Sequence, residues 1–196
     1  MHQTKKKVLL VLGHPNEDSL SQRILDHYKN GAEESGASIR EIIVRKLDFE
    51  PILIQGYKRT DALEEDILKS QQDIRWADHI VFIYPNWWGT YPALFKAFID
   101  KALWPGFAFA FKPGVLKWEK LMTGKSARIF VTMDTPLWYY HLVQGAPGHK
   151  AMKKATLDFC GFHPVRILSF GPVKKANEKQ VNRWLSRVEQ LGRKLK

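Results

Sequence analysis

Apolar residues gather in five short runs along the chain, and the stretches between them repeat apolar positions every three or four residues. Residues 6–12, 80–84 and 127–133 are nearly continuous in Val, Leu, Ile and Phe, residues 38–44 alternate, and residues 165–170 complete the set. Continuous apolar runs of this length read as strands covered on both faces, the mark of a parallel sheet. From Leu20, the positions Leu20, Ile24, Leu25 and Tyr28 trace one helical face toward Gly31 or Gly36, with Asp18 or Ser19 as the N-cap. Residues 61–76 carry Leu63, Ile67, Leu68, Ile74 and Trp76 among acids and Gln, and Pro92 opens a helix using Leu94, Phe95, Phe98, Ile99 and Leu103. Residues 146–159 form a further helix stopped at Gly161, and residues 178–195 a closing one with Val181, Trp184, Leu185, Val188 and Leu191 on one side.

Strands alternating with helices predict an α/β fold, and right-handed crossovers limit how it can wind. The expectation is one domain over residues 1–196, a five-stranded parallel sheet in the order 2-1-3-4-5 with helices on both faces. In that order the first and third strands meet at a switch point, so the loops after Leu12 and Tyr84 lie side by side at the sheet's carboxyl edge. Two segments fit no regular element: residues 47–57, and the aromatic stretch 104–114. Long loops in compact domains are usually functional.

Composition narrows the class. At 196 residues and 22.7 kDa, with 44% apolar and 26% charged residues, the chain suits one soluble globular domain. No apolar run approaches the roughly 18 residues that span a bilayer, and the run after the basic N-terminus is too short for a signal peptide. A cytoplasmic protein is expected, in keeping with a single cysteine, Cys160, read as a packing thiol. The net charge of +11 is spread over Lys5–Lys7, residues 117–125, Lys153, Lys174 and the C-terminus, without any nucleic-acid-binding spacing. No nucleic-acid partner is expected.

The candidate chemistry sits in the loops. Residues 13–21 offer the His14 imidazole, the hydroxyls of Ser19 and Ser21 and the free N–H groups of a helix start, where a phosphate would be held; equally, Asp18 or Ser19 only caps the helix. Neither a GxGxxG nor a GxxxxGK[ST] motif occurs. Trp87 and Trp88, set among Pro85, Asn86, Gly89 and Pro92 at a strand end, present flat faces to a planar ligand. Phe107, Phe109 and Phe111 alternate, so their rings could share one side of an extended segment and touch substrate, fill a core gap or meet a second copy. Tyr139, Tyr140, His141 and His149 follow the fourth strand as donors near the same edge. His2, His27, His79 and His163 lack metal-ligand spacing, and no metal is expected.

Taken together, residues 8–15 with Ser19 and Ser21, the run Tyr84-Pro85-Asn86-Trp87-Trp88-Gly89 followed by Pro92-Ala93-Leu94-Phe95-Lys96, Gly106-Phe107-Ala108-Phe109 and Phe159-Cys160-Gly161-Phe162 resemble the flavodoxin-like NAD(P)H:quinone oxidoreductase family. That family includes quinone reductases, modulator-of-drug-activity proteins and accessory flavoproteins of potassium efflux. The resemblance implies a three-layer sandwich and FMN, or alternatively FAD, with NAD(P)H as co-substrate. It implies His14, Ser19, Leu20 and Ser21 at the flavin phosphate. Pro85, Asn86, Trp87, Trp88 and Gly89 would lie around the ring, with Met133, Asp134, Thr135 and Tyr139 at its other edge. Tyr140 and His141 are the catalytic candidates, and Trp88, Phe107, Phe109 and Phe111 the substrate contacts. The implied acceptor is a quinone-like small molecule, the implied assembly a homodimer, with a membrane potassium-efflux system as a possible partner. Where mammalian members read Thr-Thr-Gly-Gly, this chain reads Met133-Asp134-Thr135-Pro136.

Overall fold

A computed structural model describes residues 5–54, 56–58, 63–112, 114 and 117–195. Strands β1 (Lys7–Leu12), β2 (Ser38–Ile43), β3 (His79–Pro85), β6 (Ser126–Thr132) and β7 (Val165–Phe170) form the main sheet, in the order β2-β1-β3-β6-β7 with every neighbouring pair parallel. This is the predicted winding; the numbering shifts because a short antiparallel hairpin, β4 (Phe109–Phe111) with β5 (Trp118–Lys120), stands apart from it. The aromatic stretch expected to be irregular thus supplies one edge of a second, two-stranded sheet. The helices are α1 (Leu20–Glu34), α2 (Glu65–Trp76), α3 (Ala93–Ala102), α4 (Leu137–Leu142), α5 (Pro147–Lys150), α6 (Asp158–Cys160) and α7 (Glu178–Arg193). Between α5 and α6 the π-helical segment Ala151–Leu157 continues the same helix. Helix α4 occupies a stretch that the sequence left as loop, and the predicted helix start at Asp61 lies outside the described residues.

Strand alternation divides the core in two. Leu9, Val11, Ile80, Phe82, Tyr84, Ile129 and Val131 face the layer holding Phe95, Phe98 and Met152, whereas Val8, Leu10, Leu12, Val81, Ile83 and Phe130 face α1 and α7. β3 is buried at every position because it lies at the sheet's centre with helices on both sides. Gly31 does not end α1. A Cβ there would come within 2.1 Å of the Glu189 carbonyl oxygen, and one at Gly192 within 2.3 Å of that of Tyr28, so the two glycines let α1 and α7 cross closely. The helix runs on to Glu34, and Gly36 takes the left-handed turn with φ of 79°. No helix among the described residues is long and apolar enough to cross a membrane.

Candidate active site

Parallel pairing of Leu12 with Ile83 carries β1 and β3 to a common edge, and the Gly13 N–H extends the ladder to the Ile83 carbonyl at 2.8 Å. Gly13 has no room for a side chain, since a Cβ would meet the Phe95 ring at 2.4 Å. From there the chain turns into α1, where Ser19 Oγ accepts the Gln22 N–H at 3.1 Å as the predicted cap. The first backbone N–H groups, at Leu20 and Ser21, have no intrahelical acceptor by the geometry of any helix start, and they carry the positive end of the dipole.

On the neighbouring strand, the Asn86 N–H reaches the Thr132 carbonyl at 2.7 Å, and the chain reverses in a two-residue turn. Trp87 and Thr90 exchange both backbone hydrogen bonds, at 2.9 and 3.0 Å, across Trp88 (φ 50°) and Gly89 (φ 80°). Positive φ at both central residues is what a mirror-image hairpin turn requires. Trp88 is fully exposed and Trp87 about half-exposed, so neither indole is a core residue.

These loops and the ends of β6 and β7 enclose a cleft of about 810 Å³, within the size range of small-molecule sites. His14, Asp18, Ser19 and Leu20 line one side, Pro85, Asn86, Trp87, Trp88 and Gly89 another, and Thr132, Met133, Asp134, Thr135, Gln144, Pro147, Val173 and Lys174 the third. The His14 and Trp87 rings lie 6.2 Å apart in an edge-on arrangement. Burial holds His14 below the usual imidazole range; its bond with the Asn16 backbone opposes this, and the Arg45 cation adds to the lowering. His14 Nδ1 lies 3.1 Å from the Asn16 carbonyl and 3.0 Å from the Asn16 N–H, so the ring is held against the Asn16 backbone in either tautomer. Asp134 is tied to the loop after β7, accepting the Lys174 N–H at 2.9 Å and pairing with its Nζ at 3.2 Å.

Of the residues singled out from sequence, His14, Ser19, Leu20, the five from Pro85 to Gly89, and Met133, Asp134 and Thr135 converge on this one cleft. Others do not line it. Ser21 is fully buried, with its Oγ 3.2 Å from Thr132 Oγ1, so its hydroxyl ties α1 to β6 and is not turned to the cleft. Tyr139 packs edge-on against Trp138. Tyr140 is fully buried because its hydroxyl is committed to backbone, donating to the Gly89 carbonyl at 3.0 Å and accepting the Gly148 N–H at 3.0 Å. His141 is exposed, with its ring 5.2 Å from that of His149, which is buried against Ser169 Oγ at 3.0 Å and pushed down to about 4 by that burial. Phe107 precedes β4 in a turn and points into the core with the Arg75 guanidinium over its ring; Phe109 packs on Phe159, and Phe111 stands exposed on the hairpin. The three rings therefore share no single side and do not wall the cleft of this chain.

Sequence reasoning missed Thr132, Gln144, Pro147, Val173 and Lys174. Thr132 and Val173 were within reach, since the predicted strand order already sets the end of the fourth strand beside the third and that of the fifth beside the fourth. Gln144 and Pro147 depend on α4, whose Pro136-to-Leu142 segment gave no periodic signal.

The donor set suits a planar heteroaromatic group with an anionic tail. Exposed indoles offer flat faces, backbone N–H groups at the β3 and β6 loops offer edge donors, and the start of α1 offers an anion seat.

A family model described as Flavodoxin-like fold matches residues 6–191. An uncharacterized NAD(P)H oxidoreductase of Haemophilus influenzae is 25% identical over 177 residues, covering 87% of this chain and 86% of that one. The ribosyldihydronicotinamide dehydrogenase [quinone] of Rattus norvegicus is 26% identical over 223 residues, covering 95% and 92%. Among solved structures, the NAD(P)H:quinone oxidoreductase of Methanothermobacter marburgensis superposes with a TM-score of 0.83 over 98% of each chain at 22% identity, a likeness of fold.

Proposed function

We propose a function from the premise that this chain belongs to the flavodoxin-like family: it is an oxidoreductase that holds a flavin in the cleft and passes reducing equivalents from NAD(P)H to a quinone-like small molecule. The observation that carries this reading is the junction of the indole-bearing turn with the α1 N-terminus, closed by the Gly13 N–H bond to Ile83 at 2.8 Å. The names and coverage of the relatives from Haemophilus influenzae and Rattus norvegicus support the activity. FMN is the cofactor this reading favours, with FAD as the alternative. A bound flavin supplies two-electron hydride chemistry that protein side chains lack.

The chain's own residues bind and orient. The Leu20 and Ser21 N–H groups and the Ser19 side chain would hold the phosphate, where the helix dipole favours negative charge. Trp87 and Trp88, with the backbone from Pro85 to Gly89, would flank the ring, and the loop of Met133, Asp134 and Thr135 would meet its other edge. Preorganised backbone N–H groups there stabilise negative charge without having to reorient during the reaction. The chain works as a cytoplasmic homodimer in this reading; the pairing is supported by the exposed side chains of Trp88 at the cleft and of Trp138 and Leu142 on α4. Nothing among the relatives favours the potassium-efflux alternative.

Purified protein should be yellow, release FMN on heating, and oxidise NAD(P)H only when a quinone is supplied. A colourless protein that neither FMN nor FAD reconstitutes ends the proposal; chromatography of the released flavin decides between the two.

A further inference from the structure

Tyr140 is the one tyrosine after β6 whose hydroxyl has both roles filled by backbone: it donates to the Gly89 carbonyl and accepts from the Gly148 N–H, each at 3.0 Å. The Gly148 N–H also reaches the Gly89 carbonyl directly, at 2.9 Å. Gly148 can carry nothing larger, because a Cβ there would meet the Gly89 oxygen at 2.7 Å, the Thr90 Cα at 2.9 Å and the Tyr140 hydroxyl at 2.9 Å.

Left-handed residues cluster around this knot. The described residues hold three non-glycine positions with positive φ, and two of them adjoin Tyr140: Trp88, one peptide before the clamped Gly89 carbonyl, and Ala146, whose N–H donates to the Tyr140 carbonyl at 2.9 Å. A β-carbon in the left-handed region crowds the following carbonyl, so a tryptophan stays there only where its surroundings over-determine it. Tyr140 and Gly148 supply that determination from the far side of the turn.

We propose that the Tyr140 hydroxyl is a positioning group that holds Trp88 in its left-handed conformation, fixing the indole at the rim of the cleft, and that it takes no part in proton transfer. The conformational claim concerns the protein alone; its consequence for ligand binding rests on the flavin reading above. Loss of the hydroxyl leaves the Gly89 carbonyl held by the Gly148 N–H alone, so the carbonyl turns more readily and the Trp88 peptide relaxes toward negative φ. The Trp87–Thr90 pair then opens more often.

Amide hydrogen exchange on the flavin-free protein tests this directly. In Tyr140→Phe, exchange at Trp87 and Thr90 should quicken about tenfold or more while the β1 and β3 amides hold steady. Adding Trp88→Asn, a residue that accepts the left-handed region, should bring the exchange back to near the wild-type rate. Unchanged exchange in Tyr140→Phe, or no recovery in the double variant, overturns the proposal. Should Tyr140→Phe fail to fold, the double variant is read instead: a folded one supports the clamp and an unfolded one overturns it. With FMN supplied, Tyr140→Phe should bind it more weakly, yet each bound flavin should turn over with the wild-type pH profile. Loss of one limb of that profile at unchanged affinity makes Tyr140 an acid or base and refutes the proposal. If the wild-type chain binds neither FMN nor FAD, the functional reading falls while the exchange result still decides the clamp.

Discussion

The two ends of β3 are built from opposite materials. At its carboxyl end stand exposed indoles that line a cleft and two consecutive residues with positive φ. At its amino end, His79 is buried 2.8 Å from Ser126 Oγ and stacked on Tyr28, with Arg128 close enough to lower its basicity. His79 Nε2 and the Tyr28 hydroxyl have no hydrogen-bond partner among the described residues. Burial first, then the Lys6, Arg128 and Arg166 cations, push His79 down to about 3, whereas His14 in the cleft is only lowered. The most perturbed imidazole thus lies far from the candidate site. Perturbed titration marks function only when a cleft accompanies it.

The largest effect should come from that amino end. A folded-state value below the unfolded one means that the unfolded chain binds the proton first. The stability contribution of a neutral His79 is therefore complete above about pH 6.5 and declines as pH falls toward about 3. Between pH 7 and pH 4 this group alone should remove roughly 3 kcal/mol, read from urea unfolding at each pH. His79→Leu should flatten that part of the slope. An equally steep decline in the variant would place the acid sensitivity elsewhere and dissolve the contrast.

At the carboxyl end, Gly148→Ala should come next. Two of the three atoms its Cβ would strike are backbone, which cannot swing aside, and overpacking of this kind costs about 1–3 kcal/mol. For a chain of this size that is a fall of very roughly 5 °C in Tm. Trp87→Ala should divide the readouts differently. Its indole is about half-exposed, so thermal stability should hold nearly steady while FMN affinity drops about tenfold or more, as loss of a stacking face does. Titration by flavin fluorescence beside a melting curve checks both, and a variant that melts early but binds normally would make Trp87 a structural residue.

Periodicity and the chirality of crossovers were enough to reach the sheet order, because continuous apolar runs such as residues 80–84 suit only central strands and the order then sets Gly13 beside Ile83. The same inference brought most of the cleft together, since a residue just past a strand's end goes where the strand goes. What stayed illegible depends on contacts that no local pattern encodes. Gly31 reads as well as Gly36 for a helix stop until the Glu189 carbonyl of α7 is seen against it, and α4 lies in a segment of Leu, Trp and Tyr without the spacing of a buried face. The alternation of Phe107, Phe109 and Phe111 promised one shared side, but Phe107 sits in a turn where the period of two does not apply. Tyr140 was visible as a residue type near the right edge; that its hydroxyl is spent on Gly89 and Gly148 required the fold.

Ser21 sharpens the contrast at its smallest scale, because it lies directly behind Ser19 and Leu20, which line the cleft, and is itself part of the scaffold. Its N–H belongs to the first turn of α1, while the residue is fully buried and its hydroxyl lies 3.2 Å from Thr132 Oγ1, linking the helix to β6. Ser21→Ala removes the second feature and keeps the first. The orphaned Thr132 hydroxyl should cost about 1 kcal/mol of stability, the usual toll of a buried group left without its partner. Flavin affinity should move less than about threefold, because the donor that the phosphate needs is main chain. Melting curves and flavin titration on the same preparation separate the two outcomes. A large loss of affinity with unchanged stability would mean that the hydroxyl turns outward to the ligand, and that the boundary between scaffold and cleft runs one layer deeper than the structure draws it.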